Sequence, residues 1–309
     1  MGDHVRSGVK RAAGVRARAY IWMIAALTAA FPAAAAAEPH DMRETLARYA
    51  SDTWASFVAM TDEETGLPAD RLHRDGTRSV QTSITNIGAA MWSTLVAEQL
   101  GFLSHGDTVA RLDRTLSTLE TMERHEPSGQ FFNWYDHTTG EKLTVWPPSG
   151  APLTPILSSV DNGWLATALH LVRNSVPELA DRAGALFDGM DFGFYYRPEV
   201  NRLLFSYAPS TGEAACCYDT IVSESRIASY IGIAKGDLPS RHYFGAWRSF
   251  PETCDWSWQE TKPVGFSRTY DDVSVFEGAY DYAGLRLVPS WGGSMFEALM
   301  PSLFVPEEQ

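Results

Sequence analysis

The sequence predicts an all-α domain of the α/α-toroid type, and three observations carry that expectation. Stretches that are apolar nearly all round alternate with amphipathic ones. Each apolar stretch is entered from a polar, glycine-bearing loop. The entries also recur, marked by Asn86, Asp161, Glu224 and Glu297, with gaps of about 75, 63 and 73 residues. A helix apolar on every side has to be buried, and an amphipathic one covers it, so inner helices alternate with outer ones. In such a ring the inner N-termini meet at one mouth, and short β-hairpins fill the long connections.

In chain order, residues 1–37 read as a secretory signal. Lys10, Arg11, Arg16 and Arg18 make the basic start, residues 20–31 an apolar run too short to span a bilayer comfortably, and residues 33–37 a small-residue cleavage site. The expectation is an exported, extracellular or periplasmic domain, residues 38–309, with no membrane span after cleavage. Removing the net +4 of residues 1–37 takes the formal charge from −13 to about −17. So acidic a chain is a poor match for nucleic acid or anionic lipid, whereas a neutral ligand is compatible.

Residues 41–60 place Leu46, Tyr49, Ala50, Trp54 and Phe57 on one helical face. A polar loop leads to TSITNIGAAMWSTLVAEQLGF, a buried helix capped at Thr85 or Asn86. A break at Ser104–Asp107 precedes its outer partner, residues 108–124, with Val109, Leu112, Leu116 and Leu119 inward. GQFFNWYDHTTGEKLTV reads as a hairpin with a Thr-Gly turn. LSSVDNGWLATALHLV is a second buried helix and residues 176–190 its cover. FGFYYRPEVNRLLFSYA is another hairpin. A helix follows from Ser223, with apolar Ile227, Tyr230, Ile231 and Ile233 and with Glu224 in its first turn, where the helix dipole favours a carboxylate. After Asp237 the pattern loosens into an aromatic-rich run, and a last helix starts at Ser294. The cysteines are the neighbours Cys216 and Cys217 plus Cys254; Cys254 can pair with either neighbour, and the spacing does not choose. No histidine stands at ligand spacing from them, so neither metal nor cofactor is expected.

The groups expected at the mouth are carboxylates and aromatics: Asp136, Asp161, Glu224 and Glu297, with Trp134, Tyr135, Trp164 and Trp291. Carboxylates among aromatics suit glycoside hydrolysis, where one protonated acid serves the leaving oxygen and one carboxylate activates water or attacks the sugar. Each also has a structural reading: Asp136 as a turn bond, Asp161 as a helix cap, Glu224 as a cap or an ion-pair partner of Arg226 or Arg248, and the tryptophans as core.

The ordered motifs ETGLPADR, TSITNIG, FFNWYD, SSVDNGWLA, SESRIASYIGIAKGDLP and SWGGSMFEALMP resemble the glycoamylase-like domain of cyclic β-1,2-glucan synthases and bacterial endo-β-1,2-glucanases. The resemblance covers residues 45–305. It implies an (α/α)6 barrel acting on glucans, with Glu224 as general acid and Asp136 and Asp161 binding sugar or the catalytic water. Asn86, Asn133, Trp134, Tyr135, Trp164, Arg226, Trp291 and Glu297 are then the expected sugar-contacting set. Six hairpins need about 400 residues, against about 272 after the signal. The expectation is therefore about four hairpins, from either a truncated reading frame or an open ring. The leading reading is a secreted β-glucan hydrolase; a glucan transglycosylase and a non-catalytic carbohydrate-binding fragment are its rivals.

Overall fold

The computed structural model describes residues 39–218, 220–247, 263–288 and 290–307. The signal read in residues 1–37, the boundary after Ala37, Arg248 and Cys254 lie outside the described residues. The chain separates into two compact units, residues 1–50 and 51–309. The described part of the first is helical and belongs to α1 (Pro39–Met60). Everything below concerns the second.

Strand β1 (Gln81–Ser83) runs directly into α2 (Ile84–Gln99). Ser83 stays extended at φ −109° and ψ 160°, and its hydroxyl accepts from the Asn86 N–H at 3.2 Å. The cap is thus Ser83 rather than Thr85 or Asn86. The reason is strand pairing: Ser83 is held opposite Trp134, so it is the last residue that remains extended. Helix α3 (His105–Thr121) is capped by Ser104 and packs Leu112, Leu116 and Leu119 inward at helical spacing.

Three short strands follow: β2 (Arg124–His125), which pairs with β3 (Gln130–Phe131), then β4 (Trp134–Asp136). β4 takes β1 along one edge and bridges Lys142 across the Thr139-Gly140 turn on the other. β5 (Val145–Trp146) and β6 (Ala151–Pro152) form a separate two-residue hairpin. Strand β7 (Leu157–Ser158) then enters α4 (Ser159–Ser175), which is buried almost continuously as far as Leu169. Ser158 caps it, accepting from the Asp161 N–H at 3.2 Å. Fully buried Asn162 pins the entry: it accepts from Phe131 N at 2.9 Å and donates to the Phe131 and Ser158 carbonyls. A 3-10 turn over Pro177–Leu179 leads to α5 (Ala180–Asp188), which covers α4.

Strands β8 (Tyr196–Arg197), β9 (Arg202–Ala208) and β10 (Glu213–Cys216) follow, with β9 also pairing to β7, Ser206 opposite Ser158. This register sets Phe205 beside the start of α4. Cys216 ends β10 and Cys217 follows it directly. Helix α6 (Arg226–Lys235) begins later than expected. Glu224 is not in its first helical turn but in the turn just before it, where Ile227 N already donates to the Glu224 carbonyl at 3.1 Å. Gly236 ends the helix at φ 84°, the left-handed conformation that glycine adopts without strain.

Helices α2, α4 and α6 lie side by side in sequence order, and α3 and α5 form an outer layer. Two glycines set the spacing. A Cβ on Gly88 would sit 3.0 Å from the Trp164 carbonyl oxygen, and one on Gly163 3.0 Å from the Ala228 backbone. Inner helices therefore touch backbone to backbone where their N-terminal halves meet, as the layering predicts.

The strictly all-α expectation needs correction. The region read as loosening after Asp237 holds α7 (His242–Gly245) and a three-stranded meander of β11 (Val264–Tyr270), β12 (Val273–Tyr282) and β13 (Leu285–Leu287). Its two turns, Asp271-Asp272 and Ala283-Gly284, have positive φ at both central residues, which matches the twist of flanking strands. Neither dipeptide is the usual Asn-Gly signal, so the meander was not legible. Helix α8 (Met295–Leu299), capped by Ser294, comes last, followed by a 3-10 turn over Pro301–Leu303.

Candidate active site

A cleft of about 410 Å³ opens at the starts of α2, α4, α6 and α8, lined by Asp161, Glu224 and Glu297. Asp161 sits in the first turn of α4. Thr85, one turn into α2, donates to its Oδ1 at 2.5 Å. With the Asn133 amide nitrogen turned toward it, Asn133 donates to Oδ2 at 2.8 Å and accepts from Trp134 Nε1 at 2.9 Å. Burial pushes the Asp161 carboxyl up; the bonds from Ser158 and Thr85 pull the other way without cancelling it. A carboxylate with both oxygens held by donors has a fixed orientation.

Glu224 faces it from the turn before α6. Tyr218 donates to Glu224 Oε2 at 2.9 Å. Burial raises this carboxyl above the ordinary range, and the nearby charges of Glu297 and Asp161 raise it further. That is the environment of a carboxylic acid kept protonated for proton donation. Glu297, in the first turn of α8, accepts from Gly292 N at 2.6 Å and lines the same cleft. Its α8 neighbours Met295 and Phe296 are 75 % and 56 % exposed.

The walls are Val160, Trp164, Phe205, Tyr218, Trp291 and Phe296. Trp291 packs edge-on against Tyr218 with ring centroids 4.2 Å apart, and its backbone N–H donates to Ser223 Oγ at 2.6 Å. Trp164 is 1 % exposed, its ring wedged against Trp92 and Phe304, so it is chiefly wall and core.

Five other expected site residues do not line the cleft. Asp136 makes the turn bond of its structural reading, accepting from Thr138 N at 2.8 Å and Thr138 Oγ1 at 2.7 Å. β4 leaves Trp134 at the end nearest α2 and Asp136 two residues farther along, opposite Gln81. Tyr135 points to the other face of the same strand, 0 % exposed, its hydroxyl donating to the Glu123 carbonyl. Asn86 is turned one helical step from Thr85 and donates to Asp70 Oδ1 at 2.9 Å. Arg226, 4 % exposed, binds Glu307 through Nε and Nη2 and donates to the carbonyls of Ser223, Glu297 and Ala298. Trp134 does not line the cleft, and reaches it through Asn133. Thr85, Phe205, Tyr218 and Phe296 were not anticipated at the site. Tyr218 lies within the same CYDTIVSESR stretch as Glu224, the one local signal that pointed to it.

A second groove, about 620 Å³, runs over the flanks of α4 and α6 past Leu171, Ile231, Tyr243 and Phe304. It contains no carboxylate among its lining residues.

The fold class is that of the glucoamylase-like helical proteins. The chain aligns with 84 % of its length on 59 % of a glucoamylase-like protein of Bacteroides fragilis NCTC 9343, at TM-score 0.56 and 18 % identity. It aligns with 75 % of its length on 55 % of an endo-β-1,2-glucanase of Chitinophaga pinensis solved with sophorotriose and glucose, at TM-score 0.55 and 18 % identity. In sequence it is 23 % identical to the cyclic β-(1,2)-glucan synthase NdvB of Rhizobium meliloti (strain 1021), over 86 % of this chain but 13 % of that protein. Residues 48–195 match a family described as a protein of unknown function, DUF3131. The resemblance read from the ordered motifs is thus matched by both relatives and fold. The chain spans under two thirds of each of these proteins.

Proposed function

We propose that this protein is a secreted glycoside hydrolase acting on a β-glucan, with β-1,2-glucan as the preferred substrate. The observation that carries the proposal is the meeting of Asp161 and Glu224, from successive inner-helix entries, in one aromatic-walled cleft, each held by a hydroxyl donor, Thr85 on Asp161 and Tyr218 on Glu224. The relatives' β-1,2-glucan chemistry supports the choice of linkage. The helical layering supports a toroid, within which these residues form about four of six hairpins.

Burial and two neighbouring carboxylates disfavour the charge of Glu224 and raise its carboxyl, which suits it to be the proton donor. It gives that proton to the glycosidic oxygen as the C–O bond breaks and the bonding pair leaves with that oxygen. Asp161, held by Thr85 and Asn133, orients a water against the anomeric carbon and takes its proton as the new C–O bond forms. Glu297 lines the same cleft and faces the oxocarbenium character of the transition state. The aromatic walls exclude water and lie against sugar faces.

The test is the anomer released from linear β-1,2-glucan, followed by proton NMR, alongside reducing-sugar release. Water activation by Asp161 requires inversion. Retention would make Asp161 or Glu297 a nucleophile and favour the transglycosylase reading; no release at all, with binding intact, would favour a binding fragment.

A further inference from the structure

We infer that Tyr218 is a positioning residue for the proton donor: its hydroxyl fixes the Glu224 carboxyl so that the transferable proton is carried on Oε1, and it stabilises the carboxylate left after transfer. The inference rests on the reading of Glu224 as the acid. The geometry is that of a rigid donor. Tyr218 Oη lies 2.9 Å from Glu224 Oε2, and the residue is 8 % exposed. Its ring stands edge-on to Trp291 at 4.2 Å and to Phe205 at 5.7 Å, so the phenol has no room to swing away.

A carboxylic acid that accepts a bond at one oxygen carries its proton on the other. Tyr218 remains a neutral donor throughout, because burial and the charges of Glu224 and Glu297 raise the phenol further above its ordinary value. A donor to a charged acceptor contributes more than one to a neutral acceptor. Tyr218 therefore favours the anion formed after transfer, and it lowers a carboxyl that its other surroundings raise. Those surroundings are Asp161 from α4 and Glu297 from α8, which a change at Tyr218 leaves in place.

The experiment compares the parent with Tyr218→Phe and Glu224→Gln on linear β-1,2-glucan across pH. Tyr218→Phe is expected to lower kcat about 10- to 100-fold, as for a lost bond to a charged group, with KM within about three-fold. Its alkaline limb should move up by about one pH unit, because losing a donor to the anion raises the acid's pKa. Site-specific 3-fluorotyrosine at position 218, a stronger donor in the same shape, should move that limb down. An unmoved limb in both variants, or a kcat within two-fold of the parent in Tyr218→Phe, overturns the inference while Glu224→Gln stays inactive. Residual full activity in Glu224→Gln would instead remove the reading beneath it.

Discussion

Glu307→Gln tests how the last wall of the cleft is held. Glu307 grips the buried Arg226 guanidinium with both oxygens, at 2.5 and 2.8 Å, and accepts from Tyr230 and Ser302 at 2.7 Å each. Burial alone would raise this carboxyl, but the bonds from Arg226, Ser302 and Tyr230 outweigh it and bring it down to about 2. A drop of that size corresponds to at most roughly 3 kcal/mol of stability. Glu307 keeps 23 % of its side chain in solvent, so screening reduces the figure to about 1–2 kcal/mol. In a domain of this size that is a fall in Tm of roughly 3–6 °C.

The sign of the pH dependence follows from a depressed carboxyl. The stabilisation is complete above the unfolded value near 4.5 and is lost as pH falls through 2. About two fifths of it remains at pH 3. Differential scanning calorimetry of parent and variant at pH 7 and pH 3 should show the gap shrinking by more than half. A gap that is absent at pH 7, or the same at both values, would refute the ion-pair account. Because Arg226 also binds the carbonyls of Glu297 and Ala298, KM for glucan should rise a few-fold in the variant.

Glu224→Gln should lower kcat by at least about 100-fold with glucan affinity retained, read by reducing-sugar release and calorimetry. The same substitution should raise Tm at neutral pH. A carboxyl raised in the folded state contributes stability that is lost as pH rises through its folded value, and glutamine has no such loss. The Tm advantage should vanish below about pH 4. Gly163→Ala should destabilise by roughly 1–3 kcal/mol in urea unfolding, because its methyl would sit 3.0 Å from the Ala228 backbone and force α4 from α6. Asn133→Ala should lower kcat about 10-fold, as Asp161 loses one of its two orienting donors.

The inner helices were legible because burial leaves a continuous apolar signature, clearest in α4, and the position of Asp161 followed from where that signature begins. What the sequence hid was orientation. Asp136 and Tyr135 share a motif with Asn133 and Trp134, but alternation along β4 and its register against β1 send Tyr135 into the core and leave Asp136 in its turn. Asn86 marks a helix entry correctly, yet the cleft is met by Thr85, a 100° step away around α2. Arg226 looked like a sugar contact because it adjoins Glu224. Its partners, Glu307 and the α8 carbonyls, come from 71 to 81 residues downstream, a proximity that only the tertiary fold creates. The meander was missed because its tight turns use Asp-Asp and Ala-Gly, whose positive φ values sequence alone does not announce.

A crystal structure of Glu224→Gln soaked with a linear β-1,2-glucooligosaccharide addresses the shared cleft most directly. The glycosidic oxygen should lie within hydrogen-bond reach, about 3 Å, of the residue 224 amide, with Asp161 on the opposite side of that sugar. An oligosaccharide bound in the apolar groove over α4 and α6, or one that leaves Asp161 and residue 224 on the same side without touching either, would contradict the account.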